Sequence, residues 1–436
     1  MNKKVVIGCV SVLGLSAIYL AGVYYSGQEA NKFLQQSIEQ AQVQASGQGF
    51  IQLDATTGFY SSQYQLVYTP TELPEGAEKW MDGRDISFNL NVKHGFLGAV
   101  SNITLAESGL LTKLKSFQAN VDREPLTLEV QQRFNPLSKQ LAMNGTFETD
   151  QFVVTSEEGS GTIGALQMNF DQLGRDFKLD LVMQNSGIEA KGNKLSIEGI
   201  KGTESGRLDH DDPLQAVMLE SLDALFNIEQ IVVKSDKVNV EAKGLRLDMQ
   251  QRLKGERMVT SIGYTADSFH VSPAGKTTPT FTSPTLRLAF DLDYAATREL
   301  AIMIQGMQSD PDAIHQQMEG LIVVADSVTE KGMGADINEL SIGWQGHKAQ
   351  GSAELVLAPF RLSEIMMQPD QIRQYLTLHA EFAVPGGMLE AMPEYNPQQI
   401  NALVQMGFVV KKDDNYTAEL NLENGVMKLN GQAVPM

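Results

Sequence analysis

Residues 85–92 read Asp-Ile-Ser-Phe-Asn-Leu-Asn-Val and carry an apolar side chain at every second position. Side chains of a β-strand point alternately to the two faces of a sheet, so this stretch predicts a strand with one apolar face. The same period of two recurs at residues 61–68, 126–130, 245–249 and 286–290. Turn-forming residues bound these segments, as is typical of antiparallel strands with one face in water. We therefore expect a long curved antiparallel sheet.

Helices are predicted where a capping residue precedes proline. This pattern occurs at Asp212-Pro213, Asp310-Pro311 and Asn396-Pro397, and each is followed by apolar residues at spacings of three and four. Gly332 is expected to end the second of these helices, because glycine readily adopts the left-handed conformation found after a helix. A further helix is predicted for residues 295–307.

The N-terminus predicts a membrane anchor. Residues 5–25 contain no charged side chain, and a helix of that length spans the ~30 Å hydrocarbon core of a bilayer. Lys3 and Lys4 precede it, so the positive-inside rule keeps residues 1–4 in the cytoplasm. Two alternatives stay open, a cleaved signal peptide and a lipoprotein modified at Cys9. All three place the body of the chain in the periplasm, and the uncleaved form is a single-pass protein of the bacterial inner membrane.

An amphipathic helix is expected next, over residues 26–46. Phe33, Leu34 and Ile38 lie on its apolar stripe and form a candidate association surface, which docks on the following domain or pairs with a second copy. The expected fold is thus mainly β with α (α+β), a transmembrane helix followed by a sheet with a few packed helices. Its body is divided into a β-rich periplasmic region and an α+β region packed on the same sheet, residues 47–293 and 294–436.

Composition argues against several classes of function. The chain has 436 residues and a net charge of -19, which is unfavourable for binding nucleic acid. Its single cysteine, Cys9, lies in the membrane segment, so the exported part has no thiol for catalysis or for a cysteine zinc site. The sequence contains no P-loop, serine elbow or paired-histidine zinc motif. We expect no enzyme, no metal and no cofactor.

Three short patterns match binding motifs but are interpreted as structural. Gly159-Ser-Gly161-Thr-Ile-Gly164 fits the dinucleotide fingerprint, yet residues 163–170 alternate like a strand instead of opening a helix. Asp209-His-Asp211-Asp212 offers ligands for a hard cation but is better explained as the acidic start of a helix. Asp291 and Asp293 are expected to be a surface pair at a strand end.

Three segments resemble the YdgA family, bacterial proteins with a domain of unknown function. They are a Gly-aromatic-Ser-Ser segment at residues 57–63, a His-Gly element at residues 92–97 and an Asn-Gly hairpin signal at residues 423–432. Their order and the layout of the chain match over essentially its whole length. The resemblance implies an inner-membrane anchor, a periplasmic body and no established enzymatic role. Phe96-Leu97 departs from the family's frequent Pro-containing sequence.

No catalytic residue carries over from this resemblance, and the matching residues are interpreted as a structural motif. Gly58 is expected to supply backbone freedom or close approach beside a strand, and His94 to cap or bond a turn. The candidate motif residues are Gly58, Phe59, Ser61, Ser62, His94 and Gly95.

Two non-enzymatic functions compete. The first is an envelope scaffold that self-associates, as a homodimer, or contacts other envelope proteins through the amphipathic helix and the sheet edges. The alternative is binding or transfer of phospholipid or another hydrophobic ligand in an apolar β-groove, with helical stripes 214–225 and 314–328 as lids. A trough lined by residues 85–92, 126–130 and 245–249 would favour the alternative.

Overall fold

The chain folds into antiparallel β-structure divided between two compact units. The first unit comprises the described residues up to Lys191 with Gly199–Leu219 and Gln305–Ile314, and the second comprises Gly192–Glu198, Glu220–Ile304 and His315–Met436. The structure is a computed structural model that describes residues 49–58, 61–73, 78, 81, 83–95, 98–120, 122–135, 140–210, 216–273, 280–309, 314–392 and 395–434.

The predicted anchor and amphipathic helix, at residues 5–25 and 26–46, lie outside the described residues. Within the part of the chain that is described, no helix is long and apolar enough to cross a membrane.

The first unit is built from antiparallel strands that mostly pair with their neighbours in sequence. The pairing runs β1–β2–β3–β4–β5–β6–β9–β10–β12, with β7–β8–β11 as a smaller branch. The strands are β1 (Gly49–Thr57), β2 (Ser61–Pro70), β3 (Ile86–Gly95), β4 (Gly98–Leu105), β5 (Leu126–Asn135), β6 (Gln140–Thr149), β7 (Phe152–Ser156), β8 (Gly159–Ile163), β9 (Leu166–Leu173), β10 (Asp176–Met183), β11 (Ser186–Ala190) and β12 (Asn193–Leu208).

A filled core lies on one face of β2 to β5. The apolar positions predicted from the alternation in residues 85–92 are all buried there, with Val92 at 1% exposure. Helix α1 (Gly109–Phe117) packs Leu111 against them, and it begins at Ser108, whose Oγ accepts the Leu111 N–H at 3.2 Å. The alternation therefore encodes a core face here, because burial of every second side chain removes it from water.

The second unit contains longer strands with the same antiparallel order. The pairing runs β13–β14–β15–β17–β18–β19–β20–β22–β23–β24, with β16 beside β14 and β17, and β21 beside β22. The strands are β13 (Leu219–Lys234), β14 (Val238–Lys254), β15 (Arg257–Thr265), β16 (Ser268–Pro273), β17 (Phe281–Asp293), β18 (Met333–Trp344), β19 (His347–Leu357), β20 (Leu376–Pro385), β21 (Val410–Lys412), β22 (Asn415–Glu423), β23 (Val426–Leu429) and β24 (Gln432–Val434).

Helices interrupt the strands of the C-terminal half. The helix predicted at 295–307 is confirmed, and Gly332 has the expected positive φ, +67°. Asn396 caps the last helix by accepting the N–H groups of Gln398 and Gln399. The helices are α2 (Tyr294–Ser309), α3 (Ile314–Thr329), α4 (Leu362–Met367), α5 (Ile372–Tyr375), α6 (Gly386–Glu390) and α7 (Pro397–Gln405), with a 3₁₀ turn at Pro369–Gln371.

The helix predicted from Asp212-Pro213 to Leu225 is wrong for all of its described residues, 216–225. Residues 216–218 are not helical, and Leu219 begins β13, which pairs with β14 from Ser221↔Arg252 to Lys234↔Asn239. Its apolar residues fit a helical spacing, but the ladder to β14 and the β-branched run at 231–233 favour the extended form. The described part of the proposed lid, residues 216–225, is therefore not a helix.

The predicted C-terminal hairpin is confirmed and contains a second turn. Asn424 and Gly425 both have positive φ and join β22 to β23. Asn430 and Gly431 repeat this geometry between β23 and β24. Both pairs adopt the backbone that a two-residue hairpin requires, which Asn-Gly supplies with little strain.

Candidate functional site

The structure brings together two residues of the predicted motif, Ser62 and His94. Ser62 lies on β2 opposite Val92 of β3, and His94 is two residues farther along β3 on the same face. Ser62 Oγ and His94 Nε2 are 2.9 Å apart. The hydrogen bond therefore crosses between neighbouring strands, whereas the sequence suggested a turn as the partner of His94.

Burial sets the chemistry of this pair. Ser62 is 1% exposed, and burial lowers the pKa of His94 below its ordinary value of 6.5. A neutral imidazole bonded to a serine hydroxyl resembles a base and its nucleophile. The Ser62 side chain is buried, however, and no carboxylate among the described residues orients the ring. We interpret the pair as a bond that holds β2 and β3 in register.

Other polar side chains share the same buried face. Ser101 on β4 lies opposite Val92, and Gln132 on β5 lies opposite Ala99. Ser101 Oγ, both amide atoms of Gln132 and the Tyr64 hydroxyl have no hydrogen-bond partner among the described residues. Unpartnered buried polar atoms lower the free energy of unfolding, so this row weakens the core beside the motif.

The remaining motif residues are only partly described. A Cβ on Gly58 would lie 2.7 Å from the backbone oxygen of Ser61, so the chain approaches itself closely there. Gly95 stands opposite Gly98 at the end of β3. Phe59 and the candidate association residues lie outside the described part of the chain, the latter being Phe33, Leu34 and Ile38.

Among the described residues, no three His, Cys, Asp or Glu side chains are grouped to hold a metal ion. Asp209 instead accepts the Val217 N–H through Oδ1 at 3.1 Å. The strand interpretation of the glycine fingerprint is confirmed, because Gly159–Ile163 forms β8.

Asp293 is not the surface carboxylate that the sequence suggested. Its side chain is buried, and Oδ1 accepts the Ala296 N–H at 2.9 Å at the start of α2. Asp291 instead pairs with Arg257, with 2.7 Å between Oδ1 and Nε. Arg257 also donates to the backbone oxygens of Lys331 and Gly332. These contacts fix helix ends, which explains both carboxylates without catalysis.

The most extensive candidate site is a face of the second unit, here called the apolar face. It consists of rows of side chains that run across strands β14, β15, β17, β18, β19, β20 and β22. The central row is Met249, Ile262, Leu288, Ile337, Ala353, Ala380 and Leu420, and the adjacent row is Leu247, Tyr264, Leu286, Leu340, Gly351, Phe382 and Ala418.

A third row completes the apolar face on the other side of the central row. It consists of Gln251, Thr260, Phe290, Ala335, Leu355, Leu378 and Leu422. No residue in the three rows carries a charge, and Tyr264, Gln251 and Thr260 alone have polar side chains. Thr260 and Gln251 lie within 3.5 Å of each other. The face thus offers almost no hydrogen-bonding group to a partner.

The apolar face is partly open to solvent. Tyr264, Leu340 and Phe382 in the adjacent row are 44–46% exposed, unlike the core of the first unit. Seven strands about 4.8 Å apart give it a width of roughly 29 Å. An apolar surface of this extent usually marks a site for a protein, a membrane or an apolar ligand.

The opposite side of the same strands is charged. Arg287 lies between Asp248 and Glu339, with contacts of 3.7 and 3.8 Å, and Lys348 reaches Glu339 at 3.1 Å. Burial and the carboxylates of Glu354 and Asp291 raise the pKa of Asp336. On β14, β17, β18 and β19, charged side chains therefore alternate with the apolar rows, so one face suits water and the other an apolar environment.

A line of small residues runs along β19 within the apolar face. Ala349, Gly351 and Ala353 alternate with side chains that point to the charged side. Larger side chains flank this line, Leu340 on β18 and Phe382 on β20, and a Cβ on Gly351 would lie 2.9 Å from Cδ2 of Phe382. The line is therefore a shallow groove that the Phe382 ring partly covers.

One end of this groove meets a compact cluster. Trp344, Ala349 and Met388 are buried together, and the rings of Trp344 and Phe281 have centroids 5.8 Å apart. Helix α6 carries Met388 and packs on β19 and β20. Trp344 is therefore a core residue of this cluster.

The sequence predicted individual strands of the apolar face, but it did not predict that they form one continuous apolar surface. Residues 245–249 and 286–290 belong to it, whereas 85–92 and 126–130 form the filled core of the first unit. The apolar side chains of 85–92 and 126–130 are packed in that core, so they do not line an open trough. Alternation shows which side of a strand is apolar, but not whether anything covers that side.

The comparisons with known proteins identify a family whose function is unknown. No curated protein and no solved structure matches the chain. A family model, described as a bacterial protein of unknown function (DUF945), matches residues 1–436. The chain therefore belongs to the DUF945 family of bacterial proteins.

Proposed function

We propose that this chain is a non-enzymatic, YdgA-like protein of the bacterial envelope that binds the acyl chains of a phospholipid on its apolar face. In this proposal residues 5–25 anchor it in the inner membrane, with the N-terminus in the cytoplasm and the body in the periplasm. The observation that carries the proposal is the near absence of hydrogen-bonding side chains in the three apolar rows.

This observation favours hydrocarbon over a protein partner. Protein–protein interfaces typically contain about one hydrogen bond per 100–200 Å² of buried surface, even where they are apolar. The central row offers no side-chain donor or acceptor across seven strands. An acyl chain needs none, and each buried CH₂ group contributes about 0.8 kcal/mol to binding.

The membrane segment predicted at residues 5–25 supports the same ligand. It would hold the apolar face beside a bilayer, where phospholipid is the abundant apolar molecule. The net charge of -19 makes strongly anionic ligands unfavourable, so we propose zwitterionic phospholipid as the ligand.

The test is native mass spectrometry of the full chain extracted in mild detergent. We expect phospholipid at fixed stoichiometry with the wild type and its loss in Ile262→Lys, which puts a charge in the central row. Ser261→Lys is the matched control, because it adds the same charge one residue away on the opposite face. Circular dichroism checks that both variants fold.

Two outcomes would overturn the proposal. Lipid bound equally by the wild type and by Ile262→Lys would place the lipid elsewhere. A lipid-free dimer that Ile262→Lys dissociates would assign the face to a second copy of the chain.

Self-association is a second candidate, favoured by the edge strand β7. Among the described residues, β7 pairs along its length only with β8, and Gln118 makes a single bridge to Phe152. Val154, Ile163 and Ile188 are exposed on β7, β8 and β11. An exposed edge with β-branched residues is a template for strand addition.

Analytical ultracentrifugation tests this second function. A concentration-dependent dimer that Val154→Lys abolishes would support pairing through β7. A monomer at all concentrations, or a dimer insensitive to this change, would contradict it.

A further inference from the structure

Trp344 has a buried hydrogen-bond donor without an acceptor. Its side chain is 5% exposed, and Nε1 has no hydrogen-bond partner among the described residues. A buried indole N–H normally finds an acceptor, because removing it from water without one is unfavourable. The cluster around it is apolar, formed by Phe281, Ala349 and Met388.

The position of this donor relates it to the groove along β19. Trp344 stands opposite His347 where β18 turns into β19, and it packs on Ala349, the first small residue of the groove. The groove runs over Gly351 and Ala353, and the same face of β19 continues to Leu355 and Leu357. From Ala349 to Leu357 the strand spans roughly 27 Å at about 3.4 Å per residue. This exceeds the ~15 Å that one leaflet contributes to a bilayer core.

We propose that an acyl ligand lies along β19 with its ester or carboxyl oxygen at Trp344 Nε1 and its methyl end toward Leu357. This assignment rests on the proposed function and adds a direction to it. The indole N–H donates to the oxygen, and the carbons contact Ala349, Gly351 and Ala353. Trp344 lies at the end of the groove, beside Ala349, so its N–H is placed to meet the oxygen at the head of an acyl chain that follows the groove.

Access to the indole requires a side chain of the surrounding cluster to move, and Met388 is a flexible member of that cluster. Met388 is 3% exposed and lies on α6, a helix of five residues that begins with Gly386 and Gly387. A methionine side chain is unbranched and adapts readily to a new neighbour. Its displacement by the carbonyl end of the ligand would open the donor without rebuilding the strands.

Fluorescence quenching tests the direction of the ligand. The chain has two tryptophans, so Trp80→Phe leaves Trp344 as the reporter. The full chain in mild detergent is mixed with phosphatidylcholine brominated either near the carbonyl end or near the methyl end of its acyl chains. We expect severalfold stronger quenching by bromine near the carbonyl. Equal or reversed quenching overturns the direction while leaving acyl binding intact.

A second measurement needs no Trp80 substitution. Trp344→Phe keeps an aromatic ring and removes the donor, so we expect about fivefold weaker binding of methyl palmitate, as for loss of one neutral hydrogen bond to its ester oxygen. Binding of hexadecane, which has no oxygen, should be unchanged. Equal loss of both ligands would assign Trp344 a packing role only and overturn the inference. Binding of neither ligand by the wild type would instead contradict the proposed function.

Discussion

His94 Nε2 lies 2.9 Å from Ser62 Oγ, although the two residues are 32 positions apart in the sequence. The bond joins β2 to β3 at the edge of the first core, in two of the three segments on which the expected resemblance to the YdgA family rests. It lies beside buried polar atoms that have no partner, so it is the satisfied part of an otherwise unfavourable polar row.

Ser62→Ala should destabilise the first unit. The change removes the hydroxyl and leaves His94 without its partner, so the free energy of unfolding should fall by about 1–3 kcal/mol. Urea denaturation measures this value. Ser61→Ala is the control, because Ser61 is exposed on the other side of β2, and it should change stability by less than about 0.5 kcal/mol. Equal effects of the two changes would contradict a stabilising bond.

The His94 ring should make stability depend on pH. Its folded-state pKa lies below 6.5, so the neutral form is favoured and its stabilising contribution is present above that pH. The contribution is lost as the pH falls through the folded-state pKa. The unfolding free energy of the wild type should therefore decrease more steeply below pH 6.5 than that of His94→Gln.

His379 changes the unfolding free energy with pH in the opposite direction, but this effect cancels when the wild type is compared with His94→Gln. Its hydrogen bond to Asn421 and the nearby Glu381 raise its pKa, so its contribution is lost as the pH rises. His379 is present in both proteins, and their difference reports on His94 alone. Parallel curves for the two proteins between pH about 5 and about 8 would contradict the role of His94.

Asp293 should stabilise α2 through its cap. Asp293→Ala removes the acceptor for the Ala296 N–H and should lower the free energy of unfolding by about 0.5–2 kcal/mol. Asp293→Asn keeps an oxygen at the same place and should retain most of the stability. Thermal unfolding followed by circular dichroism separates the variants. If Asp293→Asn loses as much stability as Asp293→Ala, the negative charge of Asp293 matters and the capping hydrogen bond does not.

Local sequence predicted the strands well because their period of two is a local property. Residues 85–92 alternate between core and solvent as expected, and the Asn424-Gly425 turn requires only two residues. The start of β13 was mispredicted because residues 214–225 also fit a helical period. Its ladder with β14, from Ser221↔Arg252 onward, decides the outcome, and that contact is remote in sequence.

The contents of the candidate sites depend on register, which the sequence does not display. The pairing of Ser62 with His94 requires β2 and β3 to align as Ser62↔Val92. The groove along β19 likewise depends on Gly351 standing opposite Leu340 and Phe382. A shift by one residue would move each side chain to the other face. Three-dimensional pairing, and not composition, therefore creates both sites.

Gly145 should be intolerant of a side chain because Phe170 lies over it. The two residues stand opposite each other on β6 and β9, and a Cβ on Gly145 would collide with the Phe170 ring and lie 2.6 Å from the Glu129 backbone oxygen. Gly145→Ala should lower the free energy of unfolding by about 1–3 kcal/mol, measured in urea. Gly161→Ala is the control on β8, where the nearest neighbour of the new Cβ would be Ile188 Cγ1 at 3.8 Å, an ordinary contact. Alanine has less conformational freedom than glycine in the unfolded chain, so Gly161→Ala should be neutral or stabilising. If both alanines are tolerated equally, the Phe170 ring moves aside freely and does not lock β6 to β9.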